Sequence, residues 1–72
     1  MITTPVKSTT LATVSYDVPS QRLWLEFRSR PIYCYFGVPP LVYRELMAAP
    51  SKGVYFNRYI RNRFPYHKEE VA

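Results

Sequence analysis

The sequence predicts an α+β fold in which a three-stranded antiparallel β-meander is followed by two α-helices packed on one face, in the order β-β-β-α-α. Three observations support this prediction. Residues 22–28 alternate strictly between two faces, which is the pattern of a half-buried strand. After Gly37 the apolar residues change to helical spacing. Prolines stand at the breaks between these segments.

Three segments have the composition and spacing of strands. The first is rich in Thr, Val and Tyr, which favour extended structure, and the third is a short apolar run. Because the connecting segments are short, neighbouring strands must run antiparallel. We predict strands over residues 9–17, 22–28 and 31–36, joined by a turn over 18–21 and a link over 29–30.

The second half of the chain predicts two helices. The first, over residues 41–49, follows a proline pair that suits a helix start and ends before a further proline. The second runs from Val54 to about Phe64 and places Phe56, Ile60 and Phe64 in an i, i+4, i+8 stripe. We expect this stripe to cover the sheet, because a three-stranded sheet alone is only marginally stable.

The ends of the chain show no strong pattern. Residues 1–8 are predicted to be a flexible arm, since Pro5 would interrupt an early strand. Residues 66–72, after the last proline, are predicted to be a flexible tail. The predicted folded domain therefore covers residues 9–65.

The composition favours a small binding protein over an enzyme. The 72 residues suffice for one domain, and 17% of them are aromatic, which suits a compact fold built around large apolar rings. Ten Lys and Arg against five Asp and Glu give a net charge of +5. This charge favours an acidic partner such as nucleic acid, although solubility alone would also explain it.

The titratable residues do not predict catalysis or metal binding. The five acidic residues are scattered over separate elements or lie in the tail, which also contains the single histidine, His67. A nucleophile–base pair of Cys34 and His67 would need the tail to fold back over the sheet, and nothing in the sequence demands that. We expect no catalytic residue, no metal ligand and no cofactor.

One cysteine suits a reducing compartment. The apolar runs are far shorter than the ~20 residues that a membrane helix needs. We expect a soluble, cytoplasmic protein that has no membrane partner. The sequence favours a monomer but leaves the oligomeric state open.

The outward face of the predicted sheet depends on the hairpin between the second and third strands. A two-residue loop would direct Tyr33 and Tyr35 outward beside Trp24, forming an aromatic patch next to Arg28 and Arg30. A three-residue loop would direct both tyrosines into the core instead. The first register is favoured because exposing tyrosine costs less than exposing isoleucine and phenylalanine, but both registers remain open.

Cations on the second helix complete the predicted interface. Arg58 and Arg61 lie i, i+3 on its exposed face, where they would contact phosphates or an acidic protein surface, although an ordinary solvated helix face is the simpler alternative. The predicted partner-binding residues are cationic or aromatic, and they are Arg58, Arg61, Lys52, Arg28, Arg30, Trp24, Tyr33 and Tyr35.

Several motifs in this order resemble the KTSC domain, a family named for its occurrence at the C-terminus of some lysyl-tRNA synthetases. They are TVSYD (13–17), LWLEF (23–27), YCY (33–35), FGVPPLVYREL (36–46) and SKGVYFNRYIR (51–61). The resemblance covers about residues 6–66. It implies a non-enzymatic protein, and RNA binding has been suggested for the family. The family often has glycine in the hairpin after the second strand, where this chain has Arg-Ser-Arg-Pro at 28–31.

The length, the basic charge and the stand-alone architecture are also similar to small transcription regulators of lytic bacteriophages. That resemblance implies that the chain binds bacterial RNA polymerase, inhibits promoter initiation and promotes read-through of terminators. Two functions therefore remain open: a regulator that binds RNA polymerase, and a module that binds RNA or DNA by itself.

Overall fold

The computed structural model describes residues 2–69, which contain an antiparallel sheet with the strand order β1-β2-β3-β4-β5. The α+β class is confirmed, but within the described residues the sheet has five strands rather than the predicted three. The strands are β1 Ile2–Pro5, β2 Leu11–Asp17, β3 Arg22–Phe27, β4 Ile32–Tyr35 and β5 Tyr66–Glu69.

The two unpredicted strands, β1 and β5, lie in the segments whose sequence predicts a flexible arm and a flexible tail. β1 pairs with β2 from Ile2 opposite Tyr16 to Pro5 opposite Thr13, and β5 pairs with β4. β1 ends in Pro5 and β5 is mostly polar and charged, so neither has the apolar, β-branched or aromatic composition that indicates a strand. Their backbone N–H and C=O groups find partners on the neighbouring strand instead. Residues 70–72 of the predicted tail lie outside the described residues.

Both predicted helices are present with shifted bounds. α1 spans Pro40–Ala48, and α2 spans Lys52–Tyr55 and continues as a π-helical turn over Phe56–Ile60. The second helix begins before Val54 because the Ser51 hydroxyl accepts a hydrogen bond from the Val54 N–H at 3.3 Å and caps it. It ends at Ile60 rather than near Phe64.

The core lies between the helices and one face of the sheet. Leu25, Phe56 and Ile60 belong to one buried cluster, and the rings of Phe56 and Phe27 meet edge to face at 5.3 Å. The predicted packing of Phe56 and Ile60 on the sheet is therefore confirmed, whereas Phe64, the third residue of the predicted stripe, lies beyond the helix and is only partly buried. On the same face, Tyr16 stacks on Tyr43 of α1 at 4.6 Å, so both helices cover one side of the sheet.

Gly53 allows α2 to approach the sheet closely. A Cβ atom at this position would lie 2.6 Å from the hydroxyl oxygen of Thr10, closer than atoms can pack without movement. The Ser-Lys-Gly segment therefore has a structural role, in which Ser51 caps the helix and Gly53 removes a clash.

The hairpin between β3 and β4 has the three-residue loop. Leu25 lies opposite Tyr33 and Leu23 opposite Tyr35, so both tyrosines point to the helix-covered face. The register that placed them outward beside Trp24 is wrong, because a shift of one residue moves every side chain to the other face. The Phe27 N–H donates to the Pro31 carbonyl at 3.0 Å, and Arg30 completes the loop with a φ of 89°. Such a left-handed residue is typical of three-residue hairpins and favours glycine.

Candidate nucleic-acid interface

A cleft of about 380 Å³ opens between the π-helical turn and the helix-covered face of β3, β4 and β5. Its wall consists of five aromatic side chains, and its rim consists of amide, hydroxyl and guanidinium groups. We call it the aromatic cleft, and its lining residues are Thr10, Phe27, Tyr33, Tyr35, Phe56, Asn57, Arg61, Asn62 and Tyr66.

The aromatic wall is a continuous set of ring contacts. Tyr66 of β5 lies 5.6 Å from Tyr35 and 5.7 Å from Tyr33, measured between ring centroids. Phe56 meets Tyr35 at 5.8 Å, and Phe27 meets Tyr33 at 5.7 Å. Mutual packing at these distances holds each ring in place. The wall is therefore largely pre-formed for a planar ligand.

The polar rim follows from the way the second helix ends. The Arg61 N–H donates to the Phe56 carbonyl at 2.8 Å, which closes a π-helical turn. Such turns occur frequently at functional sites. The Arg61 guanidinium also donates to the Asn57 side-chain oxygen at 3.5 Å. Asn62 follows with a φ of 61°, a left-handed conformation that asparagine tolerates well. One amide and one cation are thus held side by side.

Burial raises the pKa of Tyr35 to about 12, with a further contribution from the neighbouring Tyr66 and Tyr33. Its hydroxyl is therefore protonated at neutral pH. Within the described chain, the lining residues of the cleft include no carboxylate, histidine or cysteine. The arrangement suits stacking, hydrogen bonding and attraction of an anion.

Of the predicted partner-binding residues, the structure brings Tyr33, Tyr35 and Arg61 together in this cleft. Trp24 is half-buried on the opposite face of the sheet, where it lies across from Cys34 and Ser15. The predicted patch that combined Trp24 with the two tyrosines does not form, because the hairpin register separates them.

Two predicted cations belong to the hairpin rather than to the cleft. The Arg28 guanidinium donates to the Ser8 carbonyl at 2.9 Å and to the Val6 carbonyl at 3.1 Å. These bonds attach the hairpin to the segment between β1 and β2, which indicates a structural role. Arg30 is exposed in the loop.

Arg58 and Lys52 lie on other surfaces. Arg58 lines a separate concavity of about 310 Å³ with the exposed side chains of Val54 and Tyr59, which we call the Arg58 surface. The Lys52 ammonium donates to the Ala49 carbonyl at 3.3 Å, and the side chain lines a third concavity with Lys7. The two arginines predicted to act together thus face different sites.

Several cleft residues were missed by sequence reasoning, above all Tyr66, Asn57 and Asn62. Tyr66 follows the last proline in a segment without clear periodicity, so only strand pairing places it beside Tyr35. Asn57 belongs to the SKGVYFN motif, and this motif could have marked it as a candidate site residue.

Residues 66–69 of the predicted flexible tail extend the sheet at its edge as β5 rather than folding over its face. His67 of β5 lies directly opposite Cys34 of β4. Burial is the main factor that raises the pKa of the Cys34 thiol, which is only 2% exposed. A protonated, enclosed thiol is a poor nucleophile.

Residues 2–69 contain no group of three side chains suited to holding a metal ion. No helix among these residues is long and apolar enough to cross a membrane.

The fold and the cleft define a small α+β domain with a pre-formed aromatic site. The family model described as the KTSC domain matches residues 7–64, and the chain therefore belongs to the KTSC domain family. A crystal structure of a KTSC domain protein from Yersinia pestis is similar, with a TM-score of 0.92 and 32% identity over 96% of this chain and 97% of that one.

Curated relatives are of two kinds. A lysine–tRNA ligase from Nostoc punctiforme is 44% identical over 54 residues, which cover 75% of this chain and 10% of the ligase. A protein from Tsukamurella paurometabola is 38% identical over 60 residues, which cover 83% of this chain and 90% of that protein. This chain thus spans about a tenth of the ligase that it matches. None of the relatives named here is a phage transcription regulator, so polymerase binding stays a prediction.

Proposed function

We propose that this KTSC domain is a non-catalytic module that binds single-stranded RNA through the aromatic cleft. The observation that supports it is the convergence of five aromatic rings and the Arg61 cation on one concave site. Domains that bind single strands combine such stacking surfaces with positive charge, because every base has a planar face and every linkage has a phosphate.

Two further observations agree with this function. The net charge of +5 raises the local concentration of a polyanion near the protein. Lysine–tRNA ligases, which by name act on tRNA, contain a segment similar to this chain. An RNA ligand would connect this chain and the ligase segment through one kind of contact.

The test is fluorescence anisotropy with a labelled single-stranded RNA at increasing salt. Affinity should fall as salt rises, because each phosphate contact releases counterions, with a logarithmic slope of about −0.7 per contact. Arg61→Ala should weaken binding and flatten this slope. Arg58→Ala is the matched control, since Arg58 lies three residues earlier, in the π-helical turn, but lines a different concavity.

A duplex RNA of the same length provides the second control. It should bind more weakly than the single strand, because its bases are stacked and their faces cannot reach the cleft. Equal affinity of the wild type for both forms, or equal effects of the two arginine variants, would contradict binding through the cleft.

The Arg58 surface favours a second candidate function, binding of bacterial RNA polymerase in the cytoplasm. Val54 and Tyr59 are 50% and 52% exposed beside Arg58, and tyrosine and arginine side chains are typical anchors of protein interfaces. By occupying a site on the enzyme, a domain of this size would inhibit promoter initiation or promote terminator read-through without catalysis.

A pull-down from nuclease-treated bacterial lysate tests this second function. Polymerase subunits should be retained by the tagged wild type, and Arg58→Ala together with Tyr59→Ala should reduce their retention. Arg61→Ala should leave it unchanged, because Arg61 lies in the aromatic cleft. Retention of RNA from untreated lysate without polymerase from treated lysate would refute this candidate and leave the first one standing.

A further inference from the structure

The aromatic cleft is small, and its size limits what can occupy it. A volume of about 380 Å³ lies near the lower end of the range of about 300–1,000 Å³ that is usual for ligand pockets. It suits one planar group with its attached sugar rather than a helix of nucleic acid. A base that is paired and stacked in a duplex has no free face to present to such a cleft.

The rings of the cleft differ sharply in exposure. Tyr35 and Phe56 are 4% and 6% exposed, whereas Tyr66 is 58% exposed. The buried rings hold the floor in place, and Tyr66, supported by contacts to Tyr33 and Tyr35, presents its ring at the mouth. An incoming base would therefore meet Tyr66 first.

The polar rim completes a site for a nucleotide. The Arg61 guanidinium suits a phosphate, and asparagine amides such as those of Asn57 and Asn62 suit the hydrogen-bonding edge of a base. All three side chains come from the π-helical turn and the residues directly after it. Stacking groups and polar groups thus lie around one cleft.

The Arg58 surface offers a contrast in charge. It also has paired tyrosines, since the Tyr55 and Tyr59 rings lie 4.7 Å apart. However, the Tyr55 hydroxyl donates to the Glu45 carboxylate at 3.0 Å. A carboxylate at this position repels a phosphate, whereas the described residues that line the aromatic cleft include none.

From these observations we infer that the aromatic cleft binds one unpaired nucleotide of an RNA strand, with its base stacked on Tyr66 and its phosphate at Arg61. This inference rests on the proposed RNA-binding function and adds to it the unit of ligand that the cleft accepts. Bases elsewhere on the strand make no stacking contact in the cleft.

The test uses a short strand of abasic nucleotides with one central 2-aminopurine, and the same strand without any base. The wild type should bind the one-base strand about tenfold more tightly than the abasic strand, in line with the usual contribution of one stacked base. The emission of 2-aminopurine should change on binding, because stacking alters it.

Two exposed tyrosines supply matched variants. Tyr66→Leu should abolish both the tenfold preference and the emission change, while Tyr59→Leu, at a position that is 52% exposed on the Arg58 surface, should preserve both. Thermal unfolding of both variants checks that each is folded before the comparison is made.

The outcomes separate this inference from the proposed function. If natural single-stranded RNA binds but the one-base strand binds no tighter than the abasic strand, the single-nucleotide site is refuted and RNA binding stands. The same holds if Tyr66→Leu and Tyr59→Leu behave alike. If natural single-stranded RNA does not bind at all, both proposals fail.

Discussion

The two faces of the sheet are formed by the same strands but differ in what their side chains contact. On the helix-covered face, Tyr35 and Tyr66 lie opposite each other on β4 and β5 and join side chains of the second helix in the aromatic cleft. On the other face, Trp24 lies between Ser15 and Cys34, which are much smaller residues. Aromatic side chains alone therefore do not form a binding site. In the aromatic cleft the rings meet amide and guanidinium groups from the second helix and the residues directly after it.

The largest expected difference between covered and exposed positions concerns stability. Phe56→Ala should lower the free energy of unfolding by about 3–5 kcal/mol, because Phe56 is buried and contacts Phe27 and Tyr35. Val54→Ala, in the same helix but 50% exposed, should change it by less than about 0.5 kcal/mol. Chemical denaturation measures both. Similar effects of the two substitutions would mean that the stripe is not part of the core.

At alkaline pH, the buried Tyr35 hydroxyl on one face and the buried Cys34 thiol on the other should lower the stability of the fold over different pH ranges. Burial raises the pKa of Tyr35 to about 12, whereas tyrosine in an unfolded chain ionises near pH ~10. Between these values the unfolded state loses its proton first, so stability should fall as pH rises. The buried thiol of Cys34, on the other face, also has a raised pKa. It should contribute a fall of the same sign that starts at lower pH.

Denaturation midpoints measured from about pH 8 to pH 12 test this order. Tyr35→Phe should make the fall above pH ~10 shallower. Part of that fall should remain, because burial and the hydrogen bond to Glu45 raise the pKa of Tyr55 to about 12 as well. Cys34→Ala should change the curve mainly at its lower-pH end. A Tyr35→Phe curve parallel to that of the wild type would contradict the expected titration.

The smallest expected effect concerns the hairpin that determines which residues belong to each face. Arg30 has a φ of 89°, a conformation that costs a non-glycine residue about 1–2 kcal/mol. Arg30→Gly should therefore stabilise the protein by about 0.5–1 kcal/mol after the added freedom of glycine in the unfolded chain is subtracted. The thermal midpoint should rise accordingly.

Ser29→Gly is the control in the same loop. Ser29 is not among the described residues with positive φ, so the substitution should lower stability by a few tenths of a kcal/mol because it only adds freedom to the unfolded chain. A loss of stability in Arg30→Gly would mean that the arginine side chain makes a stabilising contact that outweighs its backbone strain.

Part of the candidate site could be predicted from the sequence. Arg61, Tyr33 and Tyr35 were among the predicted partner-binding residues, because arginine and tyrosine in regular elements are typical of interfaces. Their grouping was wrong, since Trp24 and the two tyrosines were placed on one face. A pattern of period two shows which residues share a face within one strand, but the pairing of two strands depends on the loop between them.

The sequence by itself determined the three central strands, the two helices and the residues that the second helix buries. These features depend on the spacing of apolar residues and on the prolines and glycines that end helices and strands. Both act through local sterics and packing over a few neighbouring residues. The KTSC family could also be recognised from the sequence, because its motifs lie within these central strands and helices.

Only the tertiary structure decided the edge strands, the hairpin register and the assembly of the cleft. Tyr66 and Tyr35 are far apart in the sequence and meet because β5 pairs with β4. That pairing comes from backbone hydrogen bonds, which almost any sequence can make and which therefore leave little trace in the residue pattern. The aromatic cleft exists because four separate parts of the chain meet on one face of the sheet, and no single segment of the sequence specifies such a meeting.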